Sequence, residues 1–249
     1  MKTFALVGRN ISYSFSRRYF AEKFAKEQIT DCEYINFDIP QIEELPSLIY
    51  ATPTLVGMNV TIPYKEKVID YLDSLSPEAK AIGAVNVIRV THKDNKVILK
   101  GFNSDVIGFT KSIEPILESY HKKALILGTG GASKAIDYGL KSLGLETLFV
   151  SRSNKPNAIQ YKDVTTDTVK KHNVIVNCTP LGMYPHADSC PQLPYEVMDN
   201  HTLLYDLIYN PDETLFMKKG LEHSATVKNG LEMLLLQAFA SWEFWHRTE

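Results

Sequence analysis

Residues 122–134, KKALILGTGGASK, decide how this chain is built. The apolar run ALIL stops at Gly128, and Gly130 and Gly131 follow at once. A short apolar run closed by glycines and followed by a helical pattern at 132–143 predicts a strand, a tight turn and the start of a helix. LETLFV at 145–150 supplies a second strand and completes a βαβ unit. The first N–H groups of such a helix lack backbone partners, and its dipole adds positive potential at the same point, so the turn suits a pyrophosphate. In the glycine fingerprint of dinucleotide-binding folds, Gly128 would form the tight turn and Gly130 would admit the cofactor, while Ser133 stands at the third position. The plain alternative is a glycine turn without a ligand.

The end of the second strand selects the cofactor. An NAD site usually places Asp or Glu there to bind the ribose hydroxyls, whereas this chain has Ser151, Arg152, Ser153 and then Lys155. A guanidinium grips a 2′-phosphate through paired hydrogen bonds that a carboxylate would oppose. NADP is therefore the expected cofactor, against the alternative that Arg152 and Lys155 belong to a solvated loop.

The 249 residues suit two domains of ordinary size. Hydrophobic residues make up 44% and charged residues 22%, as in soluble globular proteins. With 27 basic and 29 acidic residues the net charge is only −2, and no basic stripe points to nucleic acid. The apolar run at 4–7 is too short for a signal peptide, and no stretch approaches the ~20 apolar residues of a membrane span, so a cytoplasmic protein with no membrane partner is expected. Cys32, Cys178 and Cys190 form no CxxC, and the histidines form neither HxxxH nor HExxH, so no disulfide framework or metal site is expected. Cys178 ends the apolar run VIVNC and reads as a buried, inert thiol.

Upstream of the glycine turn, strand-like runs at 4–7, 32–37 and 55–60 alternate with helical patterns at 18–28 and 41–50. Runs at 84–90 and 96–99 flank THKDN, which predicts an antiparallel hairpin at one edge of a mostly parallel sheet. A linking helix at 105–120 leads to strands at 123–127, 145–150, 174–177 and 203–207, the rhythm of a doubly wound sheet. GLEMLLLQAFASWEFW at 230–245 is apolar nearly all round and predicts a well-buried helix that packs back on the first domain. The expected fold is α/β with two domains and a cleft between them. An N-terminal substrate domain with a mostly parallel sheet would comprise 1–104 plus about 231–249, and a Rossmann-type NADP-binding domain 105–230.

Three polar clusters carry potential chemistry. In GMNVTIPYKEKVIDYLD at 57–73, Asn59 and Thr61 end a strand, Pro63 is placed at a helix N1, and Lys65 falls in the first turn. A cation there opposes the dipole by a few tenths to about 1 kcal/mol, which favours proton exchange near neutral pH; a solvent-exposed lysine is the alternative. In GFNSDVIGF at 101–109, Asn103 and Asp105 begin a helix, and Asp105 is otherwise an N-cap. With Asn86 in AIGAVNVI, these groups would converge on a polyhydroxylated ligand. Ser14 and Ser16 in SYSFS would point the same way and hold a carboxylate if that segment is extended, or would cap a helix before Arg18.

In order and over nearly its whole length, the chain resembles the shikimate dehydrogenase family. SYSFS is similar to its carboxylate-binding serine motif, GMNVTIPYK to its lysine motif, AIGAVNV and GFNSDVIGF to its asparagine and aspartate motifs, and LGTGGASKA to its nucleotide turn. SRS at 151–153 is similar to its Asn-Arg-Thr clamp, and VNCTPLGM, YDLIYNPDETLF and NGLEMLLLQA to its nicotinamide-side and C-terminal blocks. The resemblance implies NADP-dependent, reversible reduction of 3-dehydroshikimate to shikimate in aromatic amino acid (chorismate) biosynthesis. Lys65 and Asp105 would be the catalytic pair, and Ser14, Ser16, Asn59, Thr61, Asn86 and Gln237 would hold the substrate. Gly128, Thr129, Gly130, Gly131, Ala132, Ser151, Arg152, Ser153, Thr179, Leu207, Tyr209 and Gly230 would hold the cofactor, the last two near the nicotinamide. Asn10, Tyr13 and Arg17 depart from the family's Pro, His and Pro, Thr129 from its Ala, and Ser151 and Ser153 from Asn and Thr; Tyr13 cannot titrate near pH 7 as histidine does. A quinate/shikimate dehydrogenase that also takes NAD, and a non-catalytic NADP-sensing protein, are the rival expectations; monomer and homodimer both stay open.

Overall fold

The apolar runs of the first hundred residues become strands of a single sheet. They are β1 (Lys2–Gly8), β2 (Cys32–Asp38), β3 (Leu55–Val60), β4 (Ser74–Leu75), β5 (Val87–Lys93) and β6 (Lys96–Phe102), with helices α1 (Phe15–Lys26), α2 (Leu45–Ala51) and α3 (Pro77–Ile82) between them. In this computed structural model, which describes residues 1–12, 14–94 and 96–247, the strand order is β2-β1-β3-β5-β6-β4. β1 runs parallel to β2 and β3, and the β5–β6 hairpin is antiparallel. The hairpin does not form the sheet edge as expected, because β4 adds outside β6 at Ser74 and Leu75. Two residues are too few to leave a periodic signal. At its turn Asp94 has φ 51°, in the left-handed region that Asp tolerates; Asn95 lies outside the described residues.

The remainder builds α4 (Asp105–Ile113), β7 (Lys123–Leu127), α5 (Gly131–Ser142), β8 (Glu146–Ser151), β9 (Ala158–Gln160), α6 (Thr166–Lys171), β10 (Val174–Asn177), β11 (Leu203–Asp206), α7 (Leu215–Leu221), β12 (Thr226–Lys228) and α8 (Leu231–His246). These strands form a second sheet in the order β12-β11-β10-β7-β8-β9, and every pairing is parallel. From β7 the chain winds outward through β8 and β9, then returns to β10 and winds the other way. This is the doubly wound, Rossmann-type arrangement, with its switch point between β7 and β10. The linking helix expected to reach residue 120 ends at Ile113, and a 3₁₀ turn follows at Glu114–Ile116. Pro115 has no N–H and its ring would strike the carbonyl one turn back.

By contacts the chain divides into Met1–Ser104 with Ala238–Glu249, and Asp105–Gln237. In the second unit ALIL, after Lys123, is apolar throughout because both faces of its strand are covered: Ala124 and Ile126 pack with Phe109, Ile136 and Leu140, while Leu125 and Leu127 pack with Val169, Phe216 and Met217. In the first unit Ala5, Val7, Met58 and Val60 face a core shared with Leu45, Ile49 and Val68. The opposite face is aromatic: Phe4 lies 4.7 Å from Trp245, and Phe20 stacks on Tyr34 at 4.7 Å. α8 is not buried all round, for Leu231, Leu235 and Phe239 are 39%, 40% and 53% exposed. Their i, i+4 spacing makes them one stripe.

Gly57 makes the aromatic face possible, since a Cβ there would overlap the indole of Trp245. Gly57→Ala is expected to lower stability by about 1–3 kcal/mol, the usual cost of overpacking. Urea unfolding followed by tryptophan emission reads both the loss and the altered surroundings of Trp245; unchanged stability and emission would show that the indole does not occupy this recess.

Candidate active site

The polar residues of the first unit gather where its parallel strands end. Asn59 is the penultimate residue of β3 and pairs with Val87 at the start of β5. Val60 N–H donates to the Asn86 carbonyl at 2.9 Å, and Asn86 N–H to Phe102 at 3.1 Å. Asn59, Thr61, Asn86 and Ser104 therefore share one end of the sheet, the usual place for a ligand in open α/β sheets.

A buried hydrogen-bond network fixes that end. Asn59 Oδ1 accepts from Tyr34 Oη at 2.8 Å, and Asn59 Nδ2 donates to Ser241 Oγ at 2.9 Å and to the Asn86 carbonyl at 3.3 Å. Asn86 Nδ2 donates to Ser104 Oγ at 3.0 Å, and Asn86 Oδ1 accepts from Ser104 N–H at 2.6 Å. Ser104 and Ser241 hydroxyls are 3.1 Å apart. Asn103 Nδ2 donates to the Ala84 carbonyl at 3.0 Å. Burial pushes the Tyr34 phenol up, opposed by its hydrogen bond with Ser16, which attaches Ser16 to the same network.

Of the two readings of the Ser14–Ser16 segment, the helix cap holds for Ser14 and the extended segment does not form: Ser14 is the N-cap of α1, its Oγ accepting from Arg17 N–H at 3.4 Å, and Ser16 lies in the first helical turn. Residues two apart on a helix do not share a face. No α-helix begins at Pro63 either. Residues 61–66 form turns before a 3₁₀ helix at Lys67–Tyr71, with Tyr64 N–H closing on the Thr61 carbonyl at 2.9 Å and the Lys65 carbonyl accepting from Val85 N–H at 2.7 Å. Lys65 thus lies in a turn tied to the residue before Asn86, and the helix-dipole effect expected there has no source. Asn10 takes φ 58° while Asp38 accepts the N–H groups of Asn10 at 2.7 Å and Ile11 at 3.1 Å; Tyr13 lies outside the described residues.

In the second unit the glycine turn has the expected form. Gly128 has φ 107°, and its N–H donates to the Val150 carbonyl at 2.9 Å. Gly130 is the N-cap of α5, and a Cβ there would meet no atom within 4 Å. Thr129, Gly131 and Ala132 complete the turn and the first helical residues. Ser133, at the fingerprint's third position, is fully buried and donates to the Gly130 carbonyl at 2.7 Å. Ser151, the last residue of β8, is buried and accepts from Ser153 N–H at 3.3 Å, while Arg152, Ser153 and Lys155 are exposed.

The loops after β10 and β11 are pinned from inside. Asn177 Oδ1 accepts from Thr179 N–H at 3.0 Å and Thr179 Oγ1 at 2.6 Å, and Asn177 Nδ2 donates to Asp206 Oδ1 at 3.0 Å. Asp206 is fully buried and also accepts from Ile208 N–H at 3.0 Å and Thr214 Oγ1 at 2.7 Å. Burial nevertheless pushes its carboxyl up to about 6, against the lowering effect of these three donors. Gly230 N–H donates to the Ile208 carbonyl at 3.0 Å, and a Cβ at Gly230 would collide with the backbone of Leu207. Cys178 is half-buried rather than fully buried as its apolar run suggests, and burial, with Asp206 nearby, pushes its thiol up. The loops carrying Gly128, Arg152, Thr179 and Tyr209 all follow carboxyl ends of this one sheet.

Residues 6–88 match the family model of the shikimate dehydrogenase substrate binding domain. The shikimate dehydrogenase (NADP(+)) of Clostridium beijerinckii is 36% identical over 100% of this chain and 93% of its own length. The chain belongs to the shikimate dehydrogenase family. Among solved structures, shikimate dehydrogenase 1 of Peptoclostridium difficile is 36% identical with a TM-score of 0.81, over 100% of this chain and 93% of that one. Shikimate 5-dehydrogenase of Thermus thermophilus, solved with NADP(H) and shikimate, is 28% identical with a TM-score of 0.85, over 99% and 94%.

In this member of the shikimate dehydrogenase family, Ser16, Asn59 and Asn86 meet through Tyr34, Ser104 and Ser241, whereas Ser14 is engaged as a cap. Asp105 follows Ser104 directly, is 6% exposed and opens α4. Gln237 is 9% exposed, and its Nε2 donates to the Leu234 carbonyl at 2.9 Å. Tyr34, Ser241, Asp206 and Thr214 escaped the sequence reading, since the first three stand in ordinary strand or helix patterns and Thr214 reads only as a helix cap. The NPD in YDLIYNPDETLF was the one available signal for the loop that Asp206 organises. Among the described residues no helix is long and apolar enough to cross a membrane.

Asp206 makes stability depend on pH. Its folded carboxyl titrates near 6 and an unfolded one near about 4, so the folded state binds the proton more tightly. The contribution is fully present below about pH 4 and is lost as pH rises through about 6, by on the order of 2–3 kcal/mol. Asp206→Asn keeps an acceptor for Ile208 and Asn177 and a donor for Thr214, so its urea stability is expected to lack this fall. Parallel pH profiles for the two proteins between pH 4 and 7 would assign the titration elsewhere.

Proposed function

We propose that the protein is an NADP-dependent shikimate dehydrogenase that reversibly reduces 3-dehydroshikimate to shikimate, with Lys65 and Asp105 as its catalytic pair, in the biosynthesis of chorismate and the aromatic amino acids. The observation that carries this is the end-to-end match to shikimate dehydrogenases in a chain that has both Lys65 and Asp105. The residues fit NADP. The open space at Gly130 leaves the N-terminus of α5 accessible to a pyrophosphate, and exposed Arg152, with no acidic residue at 150–153, suits a 2′-phosphate. Thr179, Leu207, Tyr209 and Gly230 would border the nicotinamide.

Bound NADP⁺ supplies a hydride acceptor. Lys65 takes the proton of the substrate's C3 hydroxyl as the C–H bond of that carbon breaks, and returns it in the reductive direction. Asp105 orients the ammonium and offsets its charge. Ser16 and Asn86, immobilised by the Tyr34–Asn59–Ser241–Ser104 network, hold the substrate with Ser14, Thr61 and Gln237. Asn59 gives both N–H donors to the protein and offers the remaining lone pair of Oδ1. Such pre-set geometry lowers the entropic part of the barrier.

Formation of reduced nicotinamide, with shikimate or quinate crossed against NADP⁺ or NAD⁺, tests the activity. Turnover confined to shikimate and NADP⁺ is expected; turnover with quinate or NAD⁺ would make it the broader dehydrogenase, and silence in all four would make it a binding protein. Lys65→Ala should lower kcat by roughly 10²–10⁴-fold while the Kd for NADP⁺ is unchanged, and retained turnover would remove Lys65 from the mechanism. Arg152→Gln should raise the KM for NADP⁺ by about tenfold or more and leave that for NAD⁺ alone; equal effects on both cofactors would deny Arg152 its phosphate.

A further inference from the structure

Thr61, one of the proposed substrate residues, is half-buried, and among the described residues its hydroxyl has no hydrogen-bond partner. No polar contact of the protein therefore sets the direction of that hydroxyl. The backbone around it is fixed: Thr61 N–H donates to the Val7 carbonyl and the Thr61 carbonyl accepts from Tyr64 N–H, each at 2.9 Å. Rotation about χ1 is the freedom that remains, and what the methyl of the same side chain touches decides it.

That methyl faces Gly8, the last residue of β1. A Cβ at Gly8 would lie 2.6 Å from Thr61 Cγ2 and 2.6 Å from Ile11 Cγ2, and the next atom is the Ile62 carbonyl oxygen at 3.5 Å. Thr61 Oγ1 comes no nearer than that, so the methyl is turned towards Gly8 and the hydroxyl away from it. Gly8 is not in the left-handed region, and what calls for glycine here is space. Ile11 is strapped over the same spot. Its N–H donates to Asp38 Oδ2 at 3.1 Å, and its carbonyl accepts from Asn36 Nδ2 and from Ser14 N–H, each at 3.0 Å. Asp38 stands opposite Gly8 in the β1–β2 pairing, and Ile11 is 9% exposed. Asn10, at φ 58°, makes the turn between Gly8 and Ile11, in a conformation that Asn tolerates better than most residues.

We propose that Gly8 and Ile11 are positioning residues: together they form a socket for the Thr61 methyl, fix its rotamer and so present its hydroxyl to the substrate. Turning χ1 to bring Oγ1 into the socket would set a hydroxyl against the Ile11 methyl with no hydrogen-bond partner, which is unfavourable. Held in one rotamer, the hydroxyl needs no ordering when a ligand arrives, and this strengthens binding without a further contact. That Thr61 meets the substrate rests on the shikimate dehydrogenase reading above; that its methyl is seated does not.

The rotamer is read in the free protein, without any ligand, from the three-bond couplings of the Thr61 methyl carbon to its backbone nitrogen and carbonyl carbon, the signal being assigned by its loss in Thr61→Val. A single rotamer is expected for the wild type. Averaged couplings are expected for Gly8→Ala, whose new methyl occupies the socket, and for Ile11→Ala, which opens it; circular dichroism checks folding, and Ile11→Ala carries the test if Gly8→Ala does not fold. The second readout is the calorimetric Kd for shikimate. Gly8→Ala should weaken it about three- to tenfold. Thr61→Val, which keeps the methyl and loses the hydroxyl, should weaken it by a similar factor, and adding Gly8→Ala to Thr61→Val should weaken it no further. The assignment is overturned by averaged couplings in the wild type, by unchanged couplings or an unchanged Kd in a folded socket variant, or by factors that multiply in the double variant. Failure of the wild type to bind shikimate would contradict the activity proposed above and leave the couplings to decide the socket.

Discussion

The side-chain amide of Asn59 is the constraint on which the first unit's site depends. Its oxygen accepts from Tyr34 of β2, and its two N–H groups go to the β5-side carbonyl of Asn86 and to Ser241 of α8. A buried amide left unpaired costs about 1–3 kcal/mol per group. The sheet, the hairpin and the later turns of α8 must therefore keep one relative position to satisfy it. Ser104 joins the network from the end of β6, and the next residue is Asp105. The backbone entering the proposed catalytic aspartate is thus held by the same bonds that hold the proposed substrate asparagine.

The second unit solves a similar problem with a carboxylate. Asp206 collects donors from Asn177, Ile208 and Thr214, and so fixes the loops after β10 and β11 against each other. Its raised pKa shows that desolvation outweighs those three bonds. The cost falls next to Thr179 and Tyr209, two of the residues proposed to border the nicotinamide. The glycine turn after β7 needs no such anchor, since Gly128 closes it on the backbone of β8. Arg152 stays exposed, where its guanidinium is free to meet the 2′-phosphate proposed for it.

The sequence made the doubly wound sheet legible because its strands are short, apolar and punctuated by Gly or polar residues. Strands β4, β9 and β12, two or three residues each, carry no periodicity and were missed. The turn at Lys65 was misread because Pro63 at a strand end resembles a helix start. What prevents the helix is the bond from Val85 to the Lys65 carbonyl, a contact no local pattern encodes. Distinctive motifs exposed Lys65, Asp105, Asn86 and Arg152. Tyr34 and Ser241 stayed hidden, for an alternating strand tyrosine and a helix serine acquire their role only when the chain folds.

The most direct measurement on the Asn59 network is a double-mutant cycle of Tyr34→Phe and Ser241→Ala, read as urea stability. The two side chains grip opposite ends of one amide. Their losses should therefore be non-additive, with a coupling of about 0.5–3 kcal/mol. Additivity within about 0.3 kcal/mol would mean that the amide does not link them and that the end of the sheet is held by other forces.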